Sequence, residues 1–208
     1  MKAFTQRAFL FSTVVLLSVS SVQASNWYLN GDAGGALQQD VYDKSDGGTL
    51  SFDPGLRADV ALGYNINDSF AVELESGVIW NSVDALSGTP LSTYGQSADL
   101  YQIPIMLKGI YHLRTGKFVH YVGVGVGGVA SIFDLTSHIS GPNGSDADFT
   151  FGYQAEAGVK YMLSDRASIG IGYKFLGTLE HSWTLETFNL KTDPTYTHVI
   201  FASFNWSL

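Results

Sequence analysis

The sequence has no cysteine in 208 residues, which excludes a disulfide scaffold and a thiolate metal site. Charged residues are scarce as well: 14 %, where a soluble domain carries about 25 %. Too few are present to coat a water-facing surface. Acids outnumber bases by 19 to 11, and the formal charge of −8 argues against a nucleic-acid partner. Helical periodicity is nearly absent. Past the N-terminal segment, no stretch reaches the roughly 20 apolar residues a membrane helix needs. Aromatic residues, by contrast, make up 13 % of the chain, and glycine occurs 23 times. That apolar supply argues against disorder.

Residues 1–24 carry a short basic head, Lys2 and Arg7, then an apolar stretch from Phe9 to Val19. Val22-Gln23-Ala24 places small residues where a signal peptidase reads. The pattern predicts a secretory signal peptide cut after Ala24, with residues 25–208 as a single domain.

The mature chain alternates with period two, the strand signal. Residues 149–161 are the clearest case, with Phe149, Phe151, Tyr153, Ala155, Ala157, Val159 and Tyr161 on one face. Thr150, Gly152, Gln154, Glu156, Gly158 and Lys160 occupy the other. Eight such segments are predicted, at about 26–36, 56–64, 70–81, 99–111, 118–132, 149–161, 167–176 and 195–208. Short turns (65–68, 113–117, 164–166) alternate with long polar links (38–54, 84–98, 134–147, 178–194). Long loops at one end and tight turns at the other are the layout of an up-and-down transmembrane barrel. The fold class expected is therefore all-β, an eight-stranded antiparallel up-and-down transmembrane β-barrel.

Aromatics indicate which way the apolar face points. Trp27, Tyr64, Phe70, Tyr111, Phe118, Tyr161 and Trp206 cluster at the short-turn end. Trp80, Tyr101, Phe133, Phe149, Phe175 and Tyr196 cluster at the long-loop end, with aliphatic residues between. Two aromatic rings around an aliphatic band match the two interfaces of a bilayer. The opposite face carries Asp32, Asp59, Glu73, Glu75 and Glu156 with Arg57, Lys108, Lys160 and Lys174. An eight-stranded barrel is just wide enough for side chains to fill, so these charges should pair across the lumen. Inner-face glycines such as Gly125, Gly158 and Gly172 leave room for long side chains, and Pro104 should mark a bulge or ladder break.

Five segments together resemble known proteins: NWYLNGDAGG, YQIPIMLKGIYHL, YVGVGVGGVA, FGYQAEAGVKYML and the terminal VIFASFNWSL. The chain is similar to the small outer-membrane barrel families, namely the OmpA transmembrane domain, OmpX/Ail-type proteins and the outer membrane protein β-barrel domain group. The resemblance implies a bacterial outer-membrane location. It also implies that Tyr196, Ile200, Ala202, Phe204, Trp206 and Leu208 form the signal read by the barrel assembly machinery, although an aromatic is usual where Leu208 stands. No peptidoglycan-binding domain is expected to follow the barrel.

Few constellations suggest chemistry. Gly123-x-Gly125-x-x-Gly128 matches a dinucleotide fingerprint only in letters, because the glycines alternate with valines inside a strand. His112, His120, His138, His181 and His198 read as interface or loop residues. His138-x-Ser140 has the spacing that lipid A deacylases of this architecture use, but in a Gly/Pro/Asn loop. No cofactor, metal or catalytic residue is expected. The expected role is a structural or surface-interaction (adhesion-like) barrel with outer-membrane lipid and lipopolysaccharide as partners and a possible surface ligand held by the loops. Loop carboxylates such as Asp40, Asp53, Asp84 and Asp134 offer hard oxygen ligands for shared divalent cations. The alternatives are a narrow porin-like channel, a lipid A-modifying enzyme and a soluble lipocalin-like barrel.

Overall fold

The computed structural model describes residues 26–45, 47–138, 143–184 and 189–208, so the expected signal peptide and Ser140 lie outside the described residues. Eight long strands follow one another: β1 (Trp27–Gln38), β2 (Gly55–Asn65), β3 (Phe70–Leu86), β4 (Gln96–Thr115), β5 (Phe118–Ser137), β6 (Gly144–Met162), β7 (Ala167–Thr178) and β8 (Tyr196–Ser207). Each pairs antiparallel with its chain neighbour. β8 then pairs with β1, from Tyr28 opposite Ser207 to Gln38 opposite Thr197. Closure satisfies the backbone within the wall, as hydrocarbon surroundings require.

Local chemistry makes the short turns. Asn67 Oδ1 accepts from the amides of Ser69 and Phe70, both at 2.9 Å, and folds the β2–β3 turn. Gly116 supplies the left-handed residue (φ 62°) between β4 and β5. Ser164 Oγ accepts from the Ala167 amide at 3.1 Å between β6 and β7.

The long-loop end departs from expectation. Segments 84–98 and 134–147, expected as links, begin and end in strand: β3 runs to Leu86, β4 starts at Gln96, and β5 and β6 reach Ser137 and Gly144. Outward polar residues such as Asp84 and Asp134 hid the pattern. The inward alternates Ala98, Leu100, Phe133 and Leu135 keep the period and are buried. Phe133 is therefore not an outward aromatic. It shares parity with the inward glycines of β5, and the structure buries it to 4 % exposure. At Pro104, the β3–β4 ladder lapses opposite Gly77–Val78 and resumes in the same register at Ile79–Gln102. That is the ladder break a missing N–H produces.

The two faces are reversed relative to a water-soluble barrel. Val60, Val124 and Ile200 are each 69 % exposed, whereas Glu75 and Lys174 are 0 % exposed. The apolar side chains face outward, and the soluble lipocalin-like alternative does not describe this arrangement.

The interior is stratified, not uniformly ionic. The charged belt occupies the half nearer the short turns. Toward the long loops it is followed by Ile79, Met106, Val129, Leu176 and Val199, each exposed by 1 % or less. A second apolar cluster of Val83, Leu91, Leu100, Phe133, Trp183 and Leu190 closes the long-loop mouth. Sequence alternation assigned these inward positions to a polar face. In a barrel this narrow they meet other side chains instead of water, so aliphatic residues serve equally well. The glycines give room to rings as well as charges: Cβ atoms at Gly158 and Gly172 would sit 2.5 and 2.6 Å from the Tyr121 hydroxyl, and one at Gly125 would sit 2.8 Å from Lys108 Cγ.

Candidate functional site: the filled lumen and its outer cap

All nine predicted lumen charges are inward and buried. Eight of them join one cluster centred on Glu75, which accepts from Arg57 (3.0 Å), Lys108 (2.6 Å), Lys174 (2.8 Å) and the Gln154 amide (2.9 Å). Lys108 also meets Glu73 at 2.7 Å and Glu156 at 3.2 Å. Lys174 meets Asp32 at 3.1 Å and Asp59 at 2.8 Å, and Arg57 Nε donates to Asp59 at 2.7 Å. Asp32, Asp59 and Glu75 lie close enough together to hold a metal ion, but Lys174 already fills the space among them. Lys160 stands apart. Among the described residues no carboxylate lies within 4.0 Å of its ammonium, which instead faces the Tyr121 ring at 4.9 Å and the Tyr28 ring at 5.8 Å.

At the opposite mouth, segments remote in sequence are tied into a cap. Val41–Tyr42 pairs with Thr49–Phe52, which pairs with the end of β3. Ser182–Thr184 pairs with Asn189–Lys191. Lys44 joins the two halves by ion pairs to Glu180 and to Asp193 (2.8 Å). These contacts hold the Lys44 ammonium above its ordinary pKa, through Asp193 and then Glu180, and the Glu180 carboxyl below its own, through Lys44 and then Lys191. Trp183 plugs the mouth, donating from Nε1 to the Ser131 carbonyl at 3.1 Å, with Phe133 5.7 Å away.

His181 anchors this cap. Its ring stacks on Trp183 at 4.9 Å, its Nδ1 lies 3.1 Å from Asp148 Oδ2, and its Nε2 lies 3.0 Å from Thr178 Oγ1. Hydroxyl, imidazole and carboxylate follow the order of a hydrolytic triad. Thr178 and His181 are each only 1 % exposed, however, beneath Trp183, so no substrate carbonyl reaches the hydroxyl. The group is a clasp. Asp148 and Asp146 complete it by accepting from the amides of Ser182 (3.1 Å) and Thr184 (2.6 Å). Sequence reading missed Asp148, Thr178 and Trp183, and took Asp146 only as a loop carboxylate; the one available signal was a tryptophan isolated in a polar loop. His138 is exposed beside Ser97 (3.3 Å), and His198 lies 2.6 Å from the Tyr173 hydroxyl.

Burial lowers the His181 pKa, and Asp148 opposes that shift. A lowered imidazole contributes stability that is complete above its ordinary value, about 6.5, and declines as pH falls from there toward the folded value. Proteolysis within residues 179–195 should therefore accelerate as pH drops from about 7 to about 5. His181→Gln should remove that dependence; an unchanged pH profile in the variant would refute the clasp.

The remaining predicted residues line the outer wall. Trp27 and Tyr64 (5.0 Å), Phe70 and Tyr111 (5.0 Å), and Phe118 and Tyr161 (5.2 Å) pair at the short-turn end, where Trp206 lies opposite Leu29. Trp80 registers against Tyr101, and Phe175 contacts Tyr196 at 5.9 Å at the long-loop end; Phe149 is 69 % exposed. On β8, Ile200, Ala202, Phe204 and Trp206 face outward, and the Leu208 amide donates to the Trp27 carbonyl at 3.0 Å. Gly123, Gly125 and Gly128 lie inside β5, which continues to Ser137.

An apolar belt between aromatic bands, a closed eight-stranded meander and a side-chain-filled lumen define a small outer-membrane β-barrel. The chain belongs to the outer membrane protein beta-barrel domain family, whose model matches residues 9–206. Among solved structures it is similar to OprG from Pseudomonas aeruginosa (20 % identity, TM-score 0.59, covering 89 % of this chain and 97 % of that one). It is also similar to Neisserial surface protein A (17 %, 0.55, 90 % and 100 %) and to the outer membrane protease OmpT from Escherichia coli (7 %, 0.50, 91 % and 99 %). At these identities the likeness concerns the fold, which accommodates a protease among other proteins. No curated protein sequence matches the chain.

Proposed function

We propose that the protein is a non-catalytic outer-membrane barrel with a structural or surface-interaction role, exported through a cleaved signal peptide. The observation that carries this reading is the filling of the lumen. An ionic belt, an aliphatic layer and the Trp183 cap succeed one another along the axis, which leaves the tall outer hairpins as the working surface. Loops on a rigid scaffold are the usual place for such contacts. The exposed carboxylates of Asp40, Asp53, Asp84 and Asp134 would share divalent cations with lipopolysaccharide phosphates. The alternating apolar residues of β8 would be read by the barrel assembly machinery.

The decisive measurement is single-channel recording in planar bilayers. The expected result is no stable conductance. A steady current that changes with Glu73→Ala or Lys108→Ala would replace this reading with that of a narrow channel.

A further inference from the structure

The short-turn mouth, periplasmic in an outer-membrane barrel, opens into a cavity of about 690 Å³. Tyr28, His112, Arg114, Lys160, Ser168 and Asn205 are among the residues that line it. In a chain with an excess of acids, this lining is of the opposite kind. Lys160 and Arg114 face it against a single carboxylate, Asp68, and most of its other polar groups are amides and hydroxyls able to donate hydrogen bonds.

Lys160 is the informative residue. It is 7 % exposed, yet among the described residues its ammonium has neither a hydrogen bond nor an ion pair. The two other lumen lysines each meet several carboxylates. A buried ammonium without a counter-charge is costly, and contact with ring faces offsets only part of that cost. The carboxylates acting on it at longer range, Glu73, Asp32 and Glu156, are held by Lys108 and Lys174. The Tyr28 hydroxyl, which could have turned to the cavity, donates to Glu73 at 2.7 Å. Two polar atoms of this end, Ser203 Oγ and Asn30 Oδ1, are buried without a hydrogen-bond partner among the described residues. Ser203 and Lys160 both register against Gly170 and close over it, since a Cβ there would sit 2.7 Å from Ser203 Oγ and 3.1 Å from Lys160 Cγ. A water molecule would serve the hydrogen bonds but not the charge.

We propose that this vestibule binds a phosphate or carboxylate group, with the Lys160 ammonium as buried anchor and Arg114 as the contact at the rim. A bare phosphate is much smaller than the cavity, whose volume falls in the range of about 300–1,000 Å³ typical of small-ligand sites. The anion therefore carries a larger body, either a soluble phosphorylated or carboxylated solute or the headgroup of an anionic phospholipid from the inner leaflet.

The test uses the full-length mature barrel in neutral detergent, with inorganic phosphate as the probe. Phosphate should raise the temperature of the heat-dependent gel-mobility shift in a saturable manner, and chloride at matched ionic strength should not. Lys160→Met should remain folded, since it exchanges an unpaired charge for an apolar chain between two rings, and should weaken phosphate binding about tenfold or more. Arg114→Gln should weaken it by a few-fold. No saturable shift up to about 50 mM phosphate, or an undiminished shift in Lys160→Met, overturns the proposal. If Lys160→Met does not fold, amide chemical shifts of the native protein decide: movement confined to Lys160, Ser168 and Asn205 upholds it, and scattered or absent movement overturns it. Stabilisation by glycerol phosphate assigns a soluble ligand. Stabilisation in bilayers containing phosphatidylglycerol over those of phosphatidylcholine alone assigns a headgroup, and failure of both overturns the site. The proposed surface role does not depend on the result.

Discussion

Lys174→Met should destabilise the barrel by about 3–5 kcal/mol, the cost of breaking a buried ion pair from one side. Lys174 is 0 % exposed and lies 3.1 Å from Asp32, 2.8 Å from Asp59, 2.8 Å from Glu75 and 3.8 Å from Glu156. Not all of these acids depend on it equally. Asp59 keeps Arg57, Glu75 keeps Arg57 and Lys108, and Glu156 keeps Lys108. Among the described residues, Asp32 alone is left without a cation, keeping the Asn30 amide at 2.7 Å. The deficit therefore has an address. Adding Asp32→Asn to Lys174→Met should recover roughly half of the loss, because the two positions share one contact and do not act independently. Urea unfolding of the refolded barrel, followed by gel mobility, measures both. A loss under about 1 kcal/mol in the single variant would mean that water screens the belt, and the channel reading would then take precedence.

The second large effect lies on the opposite face of the wall. Val124→Arg should cost about 2–4 kcal/mol in a bilayer, since Val124 is 69 % exposed on the outward face near the middle of β5 and a guanidinium there meets hydrocarbon. Val124→Leu keeps the outward face apolar and should change stability by less than about 0.5 kcal/mol. Folding yield and unfolding midpoint in lipid vesicles report the difference. Equal tolerance of arginine and leucine would mean that this face does not meet lipid, and the membrane orientation of the whole barrel would fall with it.

Legibility from sequence differed by region. β2 was read nearly to its ends because Leu56, Ala58, Val60, Leu62 and Tyr64 alternate with Arg57, Asp59, Ala61 and Gly63 without a lapse. The upper parts of β3 to β6 were not, because above the aromatic band both faces of a strand tolerate polar residues. Phe133 shows the same limit from the other side: an aromatic at the right height was assigned to the outer ring, but parity sends it inward against Trp183. Parity placed the nine charges on the inward face, and the structure buries each of them. Their partners were not readable, nor was the isolation of Lys160. His181 read as a loop residue, because neither Asp148 nor Thr178 forms a local pattern with it.

The amino-acid sequence by itself determined the parity of each strand, the alternation of tight and long connections, and which face carries charge. These are period-two and nearest-neighbour properties, expressed within a few residues of backbone. Only the tertiary structure decided that Lys174 meets Asp32 across 142 residues, that Lys160 meets no carboxylate among the described residues, that an aliphatic layer follows the ionic belt, and that His181 and Trp183 close the outer mouth. Such contacts depend on the register of strands far apart in the chain. Closing eight of them around a space one side chain wide converts small axial offsets into the choice of partner.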